Sequence, residues 1–303
     1  MSLFNRIQEI KAQIVDTERM LNLVGDHPIM SLGAKDKLAQ LQQELEGLPK
    51  NVTEAKVRLL FSGSAVKGSQ GIKSRFVSKT VDPFQSLVKT QTALIRFGAA
   101  QGKNQKKKKA NTDLYLTALP VGSFGVELSQ LESSDLFDEQ EVGKAIKQTI
   151  QLISSAAEGD EQFELATANS PKGTLSNLKK FLEAVYKENS VIKMESGDFG
   201  IQISEEDVRV AFERVDAAES EENEIFVLGT LRGILLDSGK FEMVDIDGKP
   251  ISGSIGKELG EEEVISYKDF LNQLCRFQLR IYKTIYKTGN EKTLYELIGI
   301  EAE

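Results

Sequence analysis

The texture of the hydrophobic residues changes along this 303-residue chain near residue 224, and that change limits what it can fold into. Before it, the long segments repeat apolar residues at spacings of three and four, the rhythm of helices packed along one stripe, with short strands between them. After it apolar residues alternate in short runs divided by Asp-Gly turns, the rhythm of strands. Residues 225–236, 239–246, 249–255, 276–286 and 292–300 read as five strands, with a helix over 264–274. Asp237-Ser238-Gly239, Asp247-Gly248 and Thr288-Gly289-Asn290 supply turns. Five short strands and one helix in so few residues predict a small β-barrel, SH3-like or OB-like.

The amino-terminal fifty residues have the opposite texture. Leu3, Ile7, Ile10, Ile14, Thr17, Leu21 and Val24 form a heptad seam, and Ala34, Leu38, Leu41, Leu45 and Leu48 form a second. Gly25 to Pro28 separates them and Pro49 ends the second, so an antiparallel helical hairpin over 1–50 is expected. Each seam covers about three heptads, short for an independent coiled coil. It can pack on the body of the protein, or residues 1–48 can serve self-association or a partner helix.

Charge divides the middle of the chain. Residues 51–112 hold 13 Lys or Arg against Glu54 and Asp82, net +11, in a protein whose total is −8. Residues 113–224 hold 9 basic and 24 acidic groups, net −15. Such asymmetry suits a polyanion-binding face, or one half of the molecule neutralising the other. Residues 51–222 read as a central mixed α/β domain: a strand over 54–61, helices over 72–81 and 83–97, strands near 114–116 and 125–128, and helices over 138–157, 174–187 and 204–215. Asp82-Pro83-Phe84-Gln85 reads as a break and a fresh helix start, with Asp82 as N-cap. The acidic stretch after residue 157 reads as a loop, and DAAESEENE, residues 216–224, as a linker to the barrel domain over 223–303. The fold class expected is therefore α+β, with hairpin, mixed domain and barrel in that order.

Several chemistries are disfavoured by composition. One histidine, one cysteine and no tryptophan exclude zinc sites built from Cys and His. The lone His27 lies beside Pro28, poor ground for a catalytic triad. The single Cys275 allows no internal disulfide, which suits a cytoplasmic location. No run approaches the length of a membrane span, so no membrane partner is expected. Gly63 and Gly68 have the spacing of a nucleotide-binding loop, but the lysine that should follow the second glycine is missing and Lys67 precedes it. No cofactor is expected. A metal-dependent nuclease hidden among the carboxylates stays open as an alternative, although the paired acids Asp245 and Asp247 fall at a turn that explains them without metal.

Candidate binding residues come from two places. Lys67, Lys73, Arg75 and Lys79 lie in and after the glycine loop, and Lys103 with the tract Lys106, Lys107, Lys108 and Lys109 follows. Such groups bind phosphates without regard to sequence. In the strand 276–286, Phe277, Leu279, Ile281 and Ile285 point one way, and Arg280, Tyr282 and Tyr286 point the other. Two tyrosines and an arginine on one barrel face could stack on bases. The reading is a non-enzymatic binding protein that contacts nucleic acid through its basic block. The alternative is a protein–protein interaction subunit of a larger assembly.

Overall fold

The computed structural model describes residues 3–302, apart from 26, 28, 69, 98–111, 121–123, 133–137, 169, 172 and 237, and the side chains of 219 and 220. Two helices open the chain, α1 (Leu3–Val24) and α2 (Met30–Gly47). They lie antiparallel, since Arg6 near the start of α1 pairs with Glu44 near the end of α2. Ile10 and Thr17 of α1 and Ser31, Ala34 and Leu41 of α2 are buried along the seam.

The central domain is one antiparallel sheet under helices. Its strands are β1 (Lys56–Phe61), β4 (Leu114–Ala118), β5 (Phe124–Gln130), β6 (Ile192–Ser196) and β7 (Phe199–Ile203), in the order β4-β5-β1-β6-β7. A small hairpin, β2 (Val66–Lys67) with β3 (Gly71–Ile72), fills the glycine loop. The helices are α3 (Ser74–Phe97), α4 (Asp138–Glu158), α5 (Asp160–Thr167), α6 (Thr174–Tyr186) and α7 (Glu205–Asp216). Alternation along β1 puts Val57, Leu59 and Phe61 under the helices, where they join Phe84, Ile146, Ile150 and Phe181 in one buried core. The other face carries Arg58, 2.7 Å from Glu127 across the β1–β5 pair, and Lys193, 2.6 Å from Glu195 on β6.

The barrel follows as β8 (Glu219–Leu235), β9 (Lys240–Asp245), β10 (Pro250–Ile255), a short α8 (Glu261–Ser266) with one 3-10 turn (Tyr267–Phe270), β11 (Leu274–Ile285) and β12 (Glu291–Ala302). The strands close in the order β10-β12-β11-β8-β9. All neighbours are antiparallel except β10 and β12. Counting from β8 as the first strand, the ring runs 1-2-3-5-4, with the helix between the third and fourth strands. That connectivity is OB-like rather than SH3-like. Leu231, Phe241, Cys275, Phe277, Leu279 and Leu297 fill its interior.

The structure departs from the sequence reading in four places. Residues 74–97 form a single helix that runs through Pro83. Asp82 is not an N-cap; it receives a 3.4 Å hydrogen bond from Ser78 one turn earlier. Pro83 has no N–H to give the Lys79 carbonyl one turn earlier; Pro83 is buried and Lys79 is exposed. The acidic loop contains α5: Gly159 ends α4, Asp160 and Glu161 favour the new helix start, and Phe163 anchors it in the core. The tract read as a linker is largely strand, because β8 opens at Glu219 and pairs along its whole acidic stretch with β11. The helix expected at 264–274 ends earlier, and β11 already begins at Leu274.

Candidate interaction surfaces

The hairpin is fastened at one end only. The Phe4 N–H donates to the Gly197 carbonyl at 3.1 Å, and Lys193 Nζ donates to Asn5 Oδ1 at 3.0 Å. The same ammonium lies 5.4 Å from the centre of the Phe4 ring. That ring lies against Gly200 so closely that a Cβ there would come within 2.8 Å of it. Beyond Arg6, no hydrogen bond or ion pair joins the hairpin to the body among the described residues. A helix the length of α1 reaches roughly 33 Å, so the distal half is an arm. Around its tip Leu23 is 82% exposed and Ile29 79%, with Met20, Met30 and Leu32 also exposed. Clustered apolar side chains in water mark contact surfaces in soluble proteins.

Among the described residues, part of the basic block is spent on structure. Arg58 pairs with Glu127, and Arg96 at the end of α3 pairs with the fully buried Asp138 and with Glu141 of α4, the latter at 2.6 Å. Lys73 donates to Glu188 at 2.7 Å, Ser64 donates to the same carboxylate at 2.6 Å, and these bonds hold the Glu188 carboxyl below its ordinary range. The glycine loop is thereby tied down. Gly63 has a φ of +106°, and a Cβ there would sit 2.4 Å from the Asn189 carbonyl oxygen, so backbone packing rather than phosphate explains the glycine. Lys67, Arg75 and Lys79 are exposed around the start of α3. Lys103 and Lys106 to Lys109 lie outside the described residues.

The barrel face differs from expectation. Arg280 is ringed by Glu222 at 3.5 Å, Glu224 at 2.9 Å, Glu258 at 2.8 Å and Glu296 at 3.1 Å, and its hydrogen bonds, that to Glu224 foremost, raise its pKa further. Tyr282 donates its hydroxyl to Glu296 at 2.8 Å. Tyr286 was expected on the outer face and is instead buried, because the strand end turns into the central domain. Its ring meets Phe163 edge-on with centroids 6.0 Å apart, and its hydroxyl lies 2.9 Å from Thr167 Oγ1. These three residues therefore do not form one open stacking platform.

Around Tyr286 lies a joint that the sequence did not reveal. Glu164 of α5 accepts from Thr288 and, at 2.7 Å, from Asn290 in the β11–β12 turn. Lys292 Nζ donates to the carbonyls of Thr167 at 2.7 Å and Ser170 at 3.0 Å, capping the end of α5. Burial pushes that ammonium down to about 8. The only legible signal was a lysine at the start of a strand otherwise regular in alternation.

Among the described residues, no group of three or more His, Cys, Asp or Glu is placed to hold a metal ion, and no helix is long and apolar enough to cross a membrane. Comparison with protein-family models, with curated proteins and with solved structures finds no match.

Proposed function

We propose that this protein is a protein–protein interaction subunit that holds a partner through the tip of its helical arm. The observation that carries this reading is the exposed cluster of Leu23, Ile29, Met30 and Leu32 at the free end of a hairpin fixed only by its base. Burying a Leu or Ile side chain contributes about 1.5–3 kcal/mol, so four such residues can supply a compact binding site. The arm carries charges of both signs and so offers no electrostatic steering toward a polyanion.

A second reading keeps the nucleic acid expected from the basic block. It is favoured by Lys67, Arg75 and Lys79, exposed together near the start of α3, and would draw on the tract from Lys103 to Lys109. One pair of measurements separates the two. A photo-reactive diazirine leucine placed at position 23 or 32 should cross-link in cells to one protein of defined mass. The same residue at Leu165, which is 71% exposed but far along the chain from the tip, should not. Fluorescence anisotropy with single-stranded and duplex oligonucleotides at about 0.15 M salt should show no binding. Absence of the cross-link, together with nucleic-acid binding that Lys106–Lys109→Ser abolishes, would replace the first reading by the second.

A further inference from the structure

The five-stranded sheet is open, and β4 is one of its two edge strands. Its outward-pointing groups follow from the strand beside it. The Gln130 N–H donates to the Ala55 carbonyl at 2.9 Å, on the β1 side of β5. Successive residues of a strand direct their N–H and C=O to alternate sides. Ser129 therefore turns toward β4 and exchanges bonds with its register partner Tyr115. Leu114 and Leu116, on either side of Tyr115, direct theirs out of the sheet. Among the described residues no further backbone hydrogen bond reaches either one. The side chains are open too. Tyr115 is 42% exposed. Leu116 shares a face with its register partner Leu128, which is buried in the core, yet is itself 53% exposed. Edge strands commonly carry charges that repel a further strand. Leu114–Ala118 carries none.

We propose that β4 pairs edge to edge with β4 of a second copy of the chain, joining two five-stranded sheets into one. A two-fold axis normal to the sheet, set beside Tyr115, lays the two edge strands antiparallel in one plane, with the helix-bearing faces of both copies on the same side. Leu114 of each copy then lies opposite Leu116 of the other, and each of these pairs exchanges both of its N–H···O bonds. Leucine meets leucine on the helix-bearing face, and the two Tyr115 rings adjoin across the axis on the other face. Asp113 falls opposite Thr117, so no like charges are opposed. A second copy therefore satisfies the outward donors and acceptors, covers the exposed leucines and brings no repulsion, which selects it as the occupant. A bulge between Leu116 and Ala118 ends the regular edge. The shared ladder spans about five residues, roughly 17 Å, a small interface, so the dimer is expected to be weak.

Sedimentation equilibrium of the full chain across the micromolar range tests this. The average mass should rise with concentration from 33.5 kDa toward twice that value. Leu116→Pro should weaken association about tenfold or more, because proline removes the N–H aimed at the other copy and leaves the ladder to β5 its donors. Thermal unfolding by circular dichroism checks that the variant is folded. A cysteine at position 115 reads the register independently of that variant. Facing Cα atoms in a non-hydrogen-bonded pair lie about 4.5 Å apart, within reach of a disulfide. Tyr115→Cys should therefore form a covalent dimer under mild oxidation. Leu119→Cys, at a more exposed position off the axis, should not. The native Cys275 is buried and takes no part. Leu23→Glu at the arm tip should leave the dimer unchanged, which keeps this result separate from the fate of the arm-tip proposal. A chain that stays monomeric overturns the interface and leaves the edge to a strand of another protein. A dimer that survives in folded Leu116→Pro, Leu119→Cys that cross-links as fast as Tyr115→Cys, or a dimer lost in Leu23→Glu would each overturn it as well.

Discussion

Tyr286 and Thr167 are 119 positions apart in sequence and share a hydrogen bond of 2.9 Å between their hydroxyls. One belongs to the barrel side and the other to the last turn of α5, and both are buried. The tyrosine ring lies in the core of the central domain, not of the barrel. The barrel is thus plugged into its neighbour by a side chain at the end of its own fourth strand.

Removing that plug should destabilise the whole chain. Tyr286→Ala is expected to cost about 3–5 kcal/mol, by analogy with other buried aromatics. Tyr286→Phe keeps the ring and loses the hydroxyl bond, at about 1 kcal/mol. Urea unfolding followed by circular dichroism reads both. Because the tyrosine couples two cores, the alanine variant should also split one transition into two.

Lys292 should make stability depend on alkaline pH. Its folded pKa of about 8 lies below the ordinary 10.5 because of burial. Between those values the unfolded chain holds more protons, so stability rises as pH rises through that window. Below pH 8 the cost of keeping the ammonium charged is fully present. Lys292→Met should flatten the curve between pH 8 and 10.5 relative to wild type. Urea midpoints measured at intervals of one pH unit check it, and an unchanged slope would discard the assignment.

Arg96 should be indispensable despite lying in the block expected to bind polyanions. It forms an ion pair with Asp138, whose side chain is 0% exposed. Arg96→Met takes this cation from a buried carboxylate, at about 3 kcal/mol or more. Conversion of Asp138 to Asn in the same chain should recover part of the loss. Denaturation of the two variants and the pair gives the coupling directly.

Arg280→Ala should destabilise in a salt-dependent way, unlike an ordinary surface change. It removes the cation from four neighbouring carboxylates, which then repel one another. The difference from wild type should be largest at low ionic strength, read by urea unfolding. Added salt should shrink it. Leu279→Ala is the contrast: its side chain is fully buried, and the expected loss of about 2–5 kcal/mol should vary little with salt.

Much of the architecture was legible because it is written in local periodicity. The seam from Leu3 to Val24 needs only its own spacing to make a helix. The alternation of Phe277, Leu279 and Ile281 sets which face of β11 is inward, and the Asp247-Gly248 turn sets the hairpin before it. Candidate sites were harder to see, since a charged residue carries no local record of its partner. Arg280 looked like a free cation until β8 brought Glu222 and Glu224 beside it and β12 brought Glu296. The same acids looked like a linker because no residue near them in sequence balances their charge.

By itself, then, the sequence determined the helical pair, the alternation of the barrel strands and the unequal distribution of charge. Each depends on neighbours within about seven residues, or on composition alone. Only tertiary structure decided the OB-like strand order, the burial of Tyr286, the pairing of Arg96 with Asp138 and the exposure of Leu23 and Ile29. Those outcomes depend on segments distant in sequence, 42 positions apart for Arg96 and Asp138 and 119 for Thr167 and Tyr286. Charge neutralisation and apolar burial are settled where distant segments come together, and a linear pattern does not specify that.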